Sequence, residues 1–269
     1  MKRKRKLLAA INPNEGLIRE YQSKLDRLID EMQNSLVYWL SAAYKANKPE
    51  MAQDISPAAF LTLVMKRLAK KWNRKFAEAA VEMAAYYMQA NKDRTDAALK
   101  ATLKKAGFAI EFKVTPVIQD ILTAAVNQNV SLIKTIASEH LSDVNEIVMR
   151  SVMAGRDLGG LREELQNRYG ITKRRASLIA RTSNNQASAE ILRARAERLG
   201  IEEAQWVHSN AGKEPRPEHV HWSGTMFNMK EGKYSFVSKK YVWPGTDFNC
   251  RCSMRLIAHS TNIATRTNG

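Results

Sequence analysis

An α+β fold is predicted for this chain: a mainly helical N-terminal part with one long helix, then a small mixed α+β C-terminal domain with short antiparallel strands. Three observations carry that reading. Only Gly16 and Gly107 precede position 150, and ten of the twelve glycines follow it. Phe60, Val64, Leu68, Trp72, Phe76, Ala80, Met83 and Tyr87 recur every three or four residues, which draws one apolar stripe along a helix. Three of the five tryptophans, Trp206, Trp222 and Trp243, gather where the helical period has stopped.

The elements follow in order. Leu25, Leu28, Met32, Leu36, Trp39 and Leu40 predict an amphipathic helix over 17–45. The long helix starts at Ser56-Pro57, because serine accepts from first-turn amides and proline lacks only a donor that would be orphaned there. It is expected to run to about residue 90, with a second helix from Asp93 to Ala106 closed by Gly107. Residues 108–114 alternate with period two and read as a short extended piece. Helices are then expected from Pro116 to about Leu141, from Val144 to Met153, from Leu158 to Tyr169 with a stop at Gly170, and from Thr172 to Leu199. Short strands are predicted at 205–208, 234–237 and 251–257, separated by Gly and Pro turns. The resulting division is a helical region with a basic tail (1–114), a helical core (115–200), a small α+β domain (201–258) and a flexible tail (259–269).

The charge balance narrows the function classes. The chain has 269 residues with 43 Lys and Arg against 27 Asp and Glu, a formal net charge of +16, and its 44% hydrophobic content excludes a wholly disordered chain. No apolar segment approaches the roughly 20 residues of a membrane span, and the five residues after Lys2–Lys6 are too few for a signal-peptide core. Two cysteines one residue apart make no secreted disulfide framework, so a soluble protein in a reducing cytoplasm is expected. Two clusters stand out: the five cations Lys2–Lys6, and Lys66, Arg67, Lys70, Lys71, Arg74 and Lys75 on the long helix away from its apolar stripe. Such clusters attract a polyanion such as double-stranded DNA through sequence-indifferent phosphate contacts; a solvated helix face, a disordered tail or an acidic partner protein would use the same charges.

Enzyme signatures are sparse. No Walker-type loop, dinucleotide fingerprint or nucleophile elbow is present. Two His and two Cys, His219, His221, Cys250 and Cys252, are zinc ligands by type, but the single residue between the cysteines departs from the usual two to four. Packing of both thiols as small apolar groups is the preferred reading, so no cofactor is expected and zinc is the one candidate. Acid–base chemistry by Glu218, His219 and His221 with Arg216 stabilising an anion is the corresponding metal-free nuclease reading.

Taken together, several stretches resemble the Mu F-like head morphogenesis family, the minor head proteins of tailed phages. They are Leu132–Ile136, Gly170–Thr182, Gly200-Ile201, Trp206, Arg216-x-x-His219-x-x-x-x-Gly224, and Pro244-Gly245 leading to Asn249-Cys250-Arg251-Cys252, over roughly residues 115–258. The resemblance implies a minor capsid protein present in few copies inside the virion near the portal vertex, and in the host cytoplasm during assembly. Its expected partners are the portal protein, major capsid or scaffolding protein, and DNA held non-specifically, with roles in head assembly and DNA packaging or delivery. The motif residues Arg216, His219, Gly224, Asn249, Cys250, Arg251 and Cys252 are then read as a structural staple and no residue as catalytic. The alternative is a nuclease or zinc-binding nucleic-acid-processing enzyme using His219 and the cysteine strand; a free DNA-binding protein is a third reading. The family's usual Asp shortly before the arginine is missing here, and Glu214 is the only acid near that position.

Overall fold

The computed structural model describes residues 5–46, 56–155, 157–212 and 214–259. In chain order its elements are β1 (Arg5–Leu7), α1 (Glu15–Ala46), α2 (Pro57–Lys105), α3 (Pro116–Met153), α4 (Leu158–Arg198), β2 (Glu203–Val207), α5 (Pro217–His221), β3 (Met226–Asn228), β4 (Lys233–Ser235), β5 (Lys240–Val242) and β6 (Ser253–His259). The fold class is α+β, with long helices first and short antiparallel strands after them.

Each long helix starts at a side-chain cap. Asn14 Oδ1 accepts from the Leu17 amide, Ser56 Oγ from Ala59, Thr115 Oγ1 from Ile118, and the Asp157 carboxylate from Gly159 and Gly160. Two ends are also chemically plain. Gly107 has φ +93° and the Phe108 amide reaches back to Leu103 O at 2.9 Å; Gly200 has φ +67° and Ile201 reaches Ala196 O at 2.9 Å. Both are left-handed glycine caps of the six-to-one kind.

Three expected helix breaks do not occur. α2 continues through residues 91–93, α3 through 141–144 and α4 through Gly170. At the first, Asn91 is buried and its amide donates to Asn184 O, Asn184 Oδ1 and Ser188 Oγ, so its polarity is spent on a neighbouring helix instead of on the local backbone. At the second, Leu141 and Val144 are both buried on one helix face. At the third, a mid-helix glycine costs about 1 kcal/mol, and the apolar face on either side, Leu161, Leu165, Ala176 and Ile179, is buried. Residues 108–114 keep their alternation, with Ile110 buried and Phe108 and Phe112 against the core, but they pair with no strand. The predicted strands at 205–208, 234–237 and 251–257 correspond to β2, β4 and β6 with shifted ends, while β1, β3 and β5 and the short α5 were not foreseen.

The chain forms two compact units, and neither is contiguous in sequence: one takes residues 1–18, 85–126 and 181–269, the other 19–84 and 127–180. Among the described residues, the second unit contains helices and no strand. Its interior is built from Leu25, Ile29, Met32, Leu36, Leu61, Trp72, Phe76, Ile133, Val144 and Val148, among others. Polar ties cross that interior: Tyr21 donates to Asn129 Oδ1 at 3.0 Å, and Gln33 donates to Leu165 O. His140 is wholly buried, its Nδ1 2.8 Å from Thr172 Oγ1. Burial, with the Arg168 charge adding to it, pulls its pKa down to about 4.

The first unit holds a four-stranded antiparallel sheet in the order β1-β6-β2-β3, and a separate β4-β5 hairpin. β6 pairs with β2 from Val207↔Ser253 to Ala204↔Leu256, and its C-terminal half pairs with β1, Leu7↔Ile257 to Arg5↔His259. Two expectations change here. Arg5 and Lys6 of the basic N-terminal run lie in a strand, Arg5 paired with Glu203, and His259 belongs to β6. Lys2–Lys4 and residues 260–269 lie outside the described residues. Leu99 and Leu103 from α2, Leu192 and Ala196 from α4, and Trp206, Met254 and Leu256 from the sheet form one core.

A charged pair lies in that core. Arg195, 1% exposed, donates through Nε and Nη2 to both oxygens of Asp96 at 2.8 and 2.7 Å, and through Nη1 to Lys113 O at 2.7 Å. The guanidinium also lies over the Phe112 ring, and Lys92 approaches Asp96 at 3.3 Å.

Two predictions follow from these buried polar groups. Arg195→Ala leaves the buried Asp96 carboxylate with Lys92 as its remaining cation and is expected to cost about 3 kcal/mol in urea unfolding, whereas an apolar replacement of both partners at matched volume recovers most of it. His140 releases its proton more readily folded than unfolded, so its contribution is full above pH 6.5 and is lost as pH falls from 6.5 toward 4. Stability is expected to drop by about 2 kcal/mol between pH 7 and pH 5, and His140→Gln to flatten that slope in paired denaturation curves.

Candidate functional site

The motif residues scattered over 182–252 meet in the first unit, on one side of β2 and β6. Four consecutive polar residues of α4, Thr182, Ser183, Asn184 and Asn185, are all buried. A buried polar run is costly unless partnered: Asn184 accepts from Asn91, and Thr182 and Asn185 meet the 246–250 loop. Asn185 Nδ2 donates to Cys250 O at 2.8 Å, Gln186 Nε2 to Thr246 O at 2.8 Å, and the Asn249 amide to Thr182 Oγ1 at 3.2 Å. The Pro244-Gly245 step presses on the same helix. A Cβ on Gly245, whose φ is +90°, would lie 3.3 Å from Ala189 Cβ and from Asn185 O. Asn249 itself has φ +53°, a region that asparagine enters more readily than most residues.

Arg216, just before α5, joins this loop from the other direction. Its Nη2 donates to Phe248 O at 2.8 Å, and its Nε lies 3.7 Å from Asp247 Oδ2. Asp247 is buried, accepts from Ser238 Oγ and lies 3.5 Å from Lys240. Thus Asp247, thirty residues downstream, is the carboxylate facing the arginine among the described residues, and Glu214 is not. Gly224 has φ +81°; its amide donates to Trp206 O at 2.8 Å, which returns the chain from α5 to the edge of β2.

His219 lies on α5 and is 2% exposed. Its ring stacks on Trp222, with an interplanar angle of 24°, and meets the edge of Trp206 at 5.1 Å. Its Nδ1 is 3.5 Å from Cys250 Sγ and 3.7 Å from Cys252 Sγ. Both cysteines are buried and unbridged. The hydrogen bond from Cys252 holds the Cys250 thiol well below the ordinary range, and His219 adds to that in spite of burial. The same shared proton, with burial, pushes Cys252 up. The Ser209 amide and the Trp206 indole N–H favour the Cys252 thiolate, although the indole falls short of hydrogen-bond geometry. A cavity of about 440 Å³ opens beside the three side chains and is also lined by His208, Glu214, Arg216 and Arg251.

The sequence-derived sets therefore separate. Arg216, His219, Gly224, Asn249, Cys250 and Cys252 all serve one loop-and-strand junction, and Arg251 lines its cavity. His221 is exposed and stands outside the group formed by His219, Cys250 and Cys252. Glu218, the other proposed acid–base partner, is occupied elsewhere: it accepts from Ser235 Oγ at 2.7 Å and from the Phe236 and Val237 amides at 2.9 and 3.3 Å. Burial opposes the charge, but these hydrogen bonds prevail and lower its pKa. Asp247, Thr182 and Asn185 were missed by sequence reasoning. For the last two a signal existed, a Thr-Ser-Asn-Asn run at positions that a helix had to bury.

The basic residues of α2 lie in the second unit. Lys66, Arg67, Lys70, Lys71, Arg74 and Lys75 are all exposed, opposite buried Leu61, Met65, Leu68, Trp72 and Phe76. Three have local company: Lys75 pairs with Glu31, Arg74 lies 3.7 Å from Glu78, and Lys71 and Lys75 lie over the Trp72 ring. Among the described residues, no acid pairs with Lys66, Arg67 or Lys70. No helix among the described residues is long and apolar enough to cross a membrane.

Comparison with known proteins places the motif. Residues 142–255 match the family described as Phage Mu protein F like protein. An uncharacterized protein of Haemophilus influenzae (strain ATCC 51907 / DSM 11121 / KW20 / Rd) is 30% identical over 138 residues, which is 51% of this chain and 30% of that protein. The chain thus spans under a third of the length of the curated relative it matches. No solved structure matches.

Proposed function

We propose that this chain, whose residues 142–255 are phage Mu F-like, is a head morphogenesis protein of a tailed bacteriophage that acts as a minor capsid component. Its partner is the portal protein at the portal vertex, with major capsid or scaffolding protein as further neighbours during assembly. It works in the host cytoplasm while heads are built and inside the virion afterwards. Its contribution to DNA packaging or delivery is mechanical and electrostatic.

One observation carries the structural reading over the enzymatic one: Arg216, Glu218 and His219 Nδ1 are each engaged by other protein groups. Arg216 holds the Phe248 carbonyl and faces Asp247, Glu218 accepts from the 235–237 loop, and His219 points its Nδ1 at two sulfurs. A general base needs an open path to the proton it removes. Here the buried imidazole is stacked on Trp222 with Trp206 edge-on against it, and the nearest carboxylate in sequence, Glu218, is engaged with the hairpin. A nuclease reading of Glu218, His219 and His221 draws no comparable support: among the described residues these three form no converging cluster, His219 being buried against the cysteines and His221 exposed.

The DNA-directed part of the proposal rests on the +16 net charge and on the exposed basic face of α2. Such a face binds phosphates without reading bases, and its affinity falls steeply with salt.

Two experiments check these readings. Co-expression with the cognate portal protein is expected to give a complex that survives about 1 M salt, where screening leaves packed contacts but removes loose attraction; complete dissociation at that salt, or no complex at all, overturns the portal assignment. Replacing Lys66, Arg67 and Lys70 together by Gln is expected to weaken binding to DNA of any sequence and to lower the slope of log affinity against log salt by about 1 for each phosphate contact removed. An unchanged slope in fluorescence titrations would assign those residues to solvation alone.

A further inference from the structure

The geometry points to a zinc site formed by His219 Nδ1, Cys250 Sγ and Cys252 Sγ, with its fourth position turned to the adjoining cavity and filled by water. The inference is independent of the assembly role, because it rests only on donor atoms and their spacing.

The three donor atoms lie within 4.8 Å of one another, and all three residues are buried. Zinc–nitrogen bonds near 2.0 Å and zinc–sulfur bonds near 2.3 Å, at tetrahedral angles, separate the two donor atoms by about 3.6 Å. The observed Nδ1–Sγ separations are 3.5 and 3.7 Å. One thiol–imidazole hydrogen bond accounts for one such contact, but Nδ1 offers a single lone pair, so it does not account for both sulfurs at that spacing. The sequence argument against zinc was the single residue between the cysteines. That objection fails on geometry, since Cys250 closes a turn with its amide on Asp247 O and Cys252 directly precedes β6, so both thiols converge from a bend.

The donor set selects the ion. One neutral imidazole and two thiolates are borderline to soft ligands, which suits zinc and excludes the oxygen-seeking magnesium and calcium. Two thiolates and a divalent cation also sum to zero charge, which removes the cost of burying an uncompensated ion. Part of an outer layer is present: the Asn185 side chain fixes the Cys250 carbonyl, the Ser209 amide faces Cys252, and Trp206 and Trp222 set the ring plane, while His219 Nε2 is buried with no hydrogen-bond partner among the described residues. The cavity beside it is lined by His208, Glu214, Arg216 and Arg251, so solvent reaches the remaining coordination position.

The test uses the full chain purified under reducing conditions from zinc-supplemented cells. Elemental analysis is expected to give close to one zinc per chain, and X-ray absorption at the zinc edge two sulfur neighbours near 2.3 Å with nitrogen or oxygen near 2.0 Å. Cobalt(II) added to metal-stripped protein is expected to show thiolate-to-metal charge transfer and the intense visible bands of a four-coordinate ion. His221→Ala is expected to keep the full zinc content, and His219→Ala, Cys250→Ser and Cys252→Ser to lose it. Folded protein without stoichiometric zinc and without a cobalt signal overturns the inference, whatever the variants do. So does a site whose sulfur count is not two, or one emptied by His221→Ala.

Discussion

The buried Arg195–Asp96 pair is the constraint around which the first unit is arranged. A guanidinium at 1% exposure is tolerable only with its donors satisfied, and the donors are satisfied by groups far apart in sequence: a carboxylate on α2 and a carbonyl of the 108–114 segment. The planar fork fixes direction as well as distance, so α2, α4 and the intervening segment are held in one relative register. Four residues separate the end of α4 from the start of β2, and Trp206 enters the core from that strand. The sheet therefore inherits its placement from a charge pair several residues upstream.

The same economy governs the loop that carries the cysteines. A helix with four consecutive buried polar residues is unfavourable alone, and a loop with exposed carbonyls and a positive-φ asparagine is also unfavourable alone. Docked together, the loop carbonyls of Thr246 and Cys250 and the amide of Asn249 find partners on Gln186, Asn185 and Thr182. Gly245 supplies the close approach that the docking needs. Arg216 then ties the α5 side of the site to the same loop through Phe248 O. What reads in sequence as a string of separate motif residues is physically one joint, with the histidine and the two thiols at its centre.

A joint of this type suits a protein whose work is to hold position. The sheet is small, its core relies on a few aromatic and aliphatic side chains, and a metal bound among His219, Cys250 and Cys252 would add the cross-link that small folds often lack. The exposed cations of α2 belong to the other unit, so contact with a polyanion and the integrity of the joint rest on different residues.

Much of the helical architecture was legible because its signals are local. Apolar spacing at three and four residues, the cap at Ser56 and the closing glycines 107 and 200 act within a turn or two of the chain. The expected breaks at 91–93, 141–144 and Gly170 failed for the opposite reason: local propensity weighs about a kilocalorie there, and burial against other helices outweighs it. The alternation over 108–114 was real, yet a strand also needs an edge to pair with, and among the described residues no strand pairs with it. By its own residues the sequence determined the fold class and most of the helix starts. Only the tertiary structure decided that Asp247 faces Arg216, that His221 stands apart, and that one imidazole nitrogen meets two sulfurs, because those relations depend on chain segments that sequence spacing leaves free and only long-range packing brings within a few ångströms.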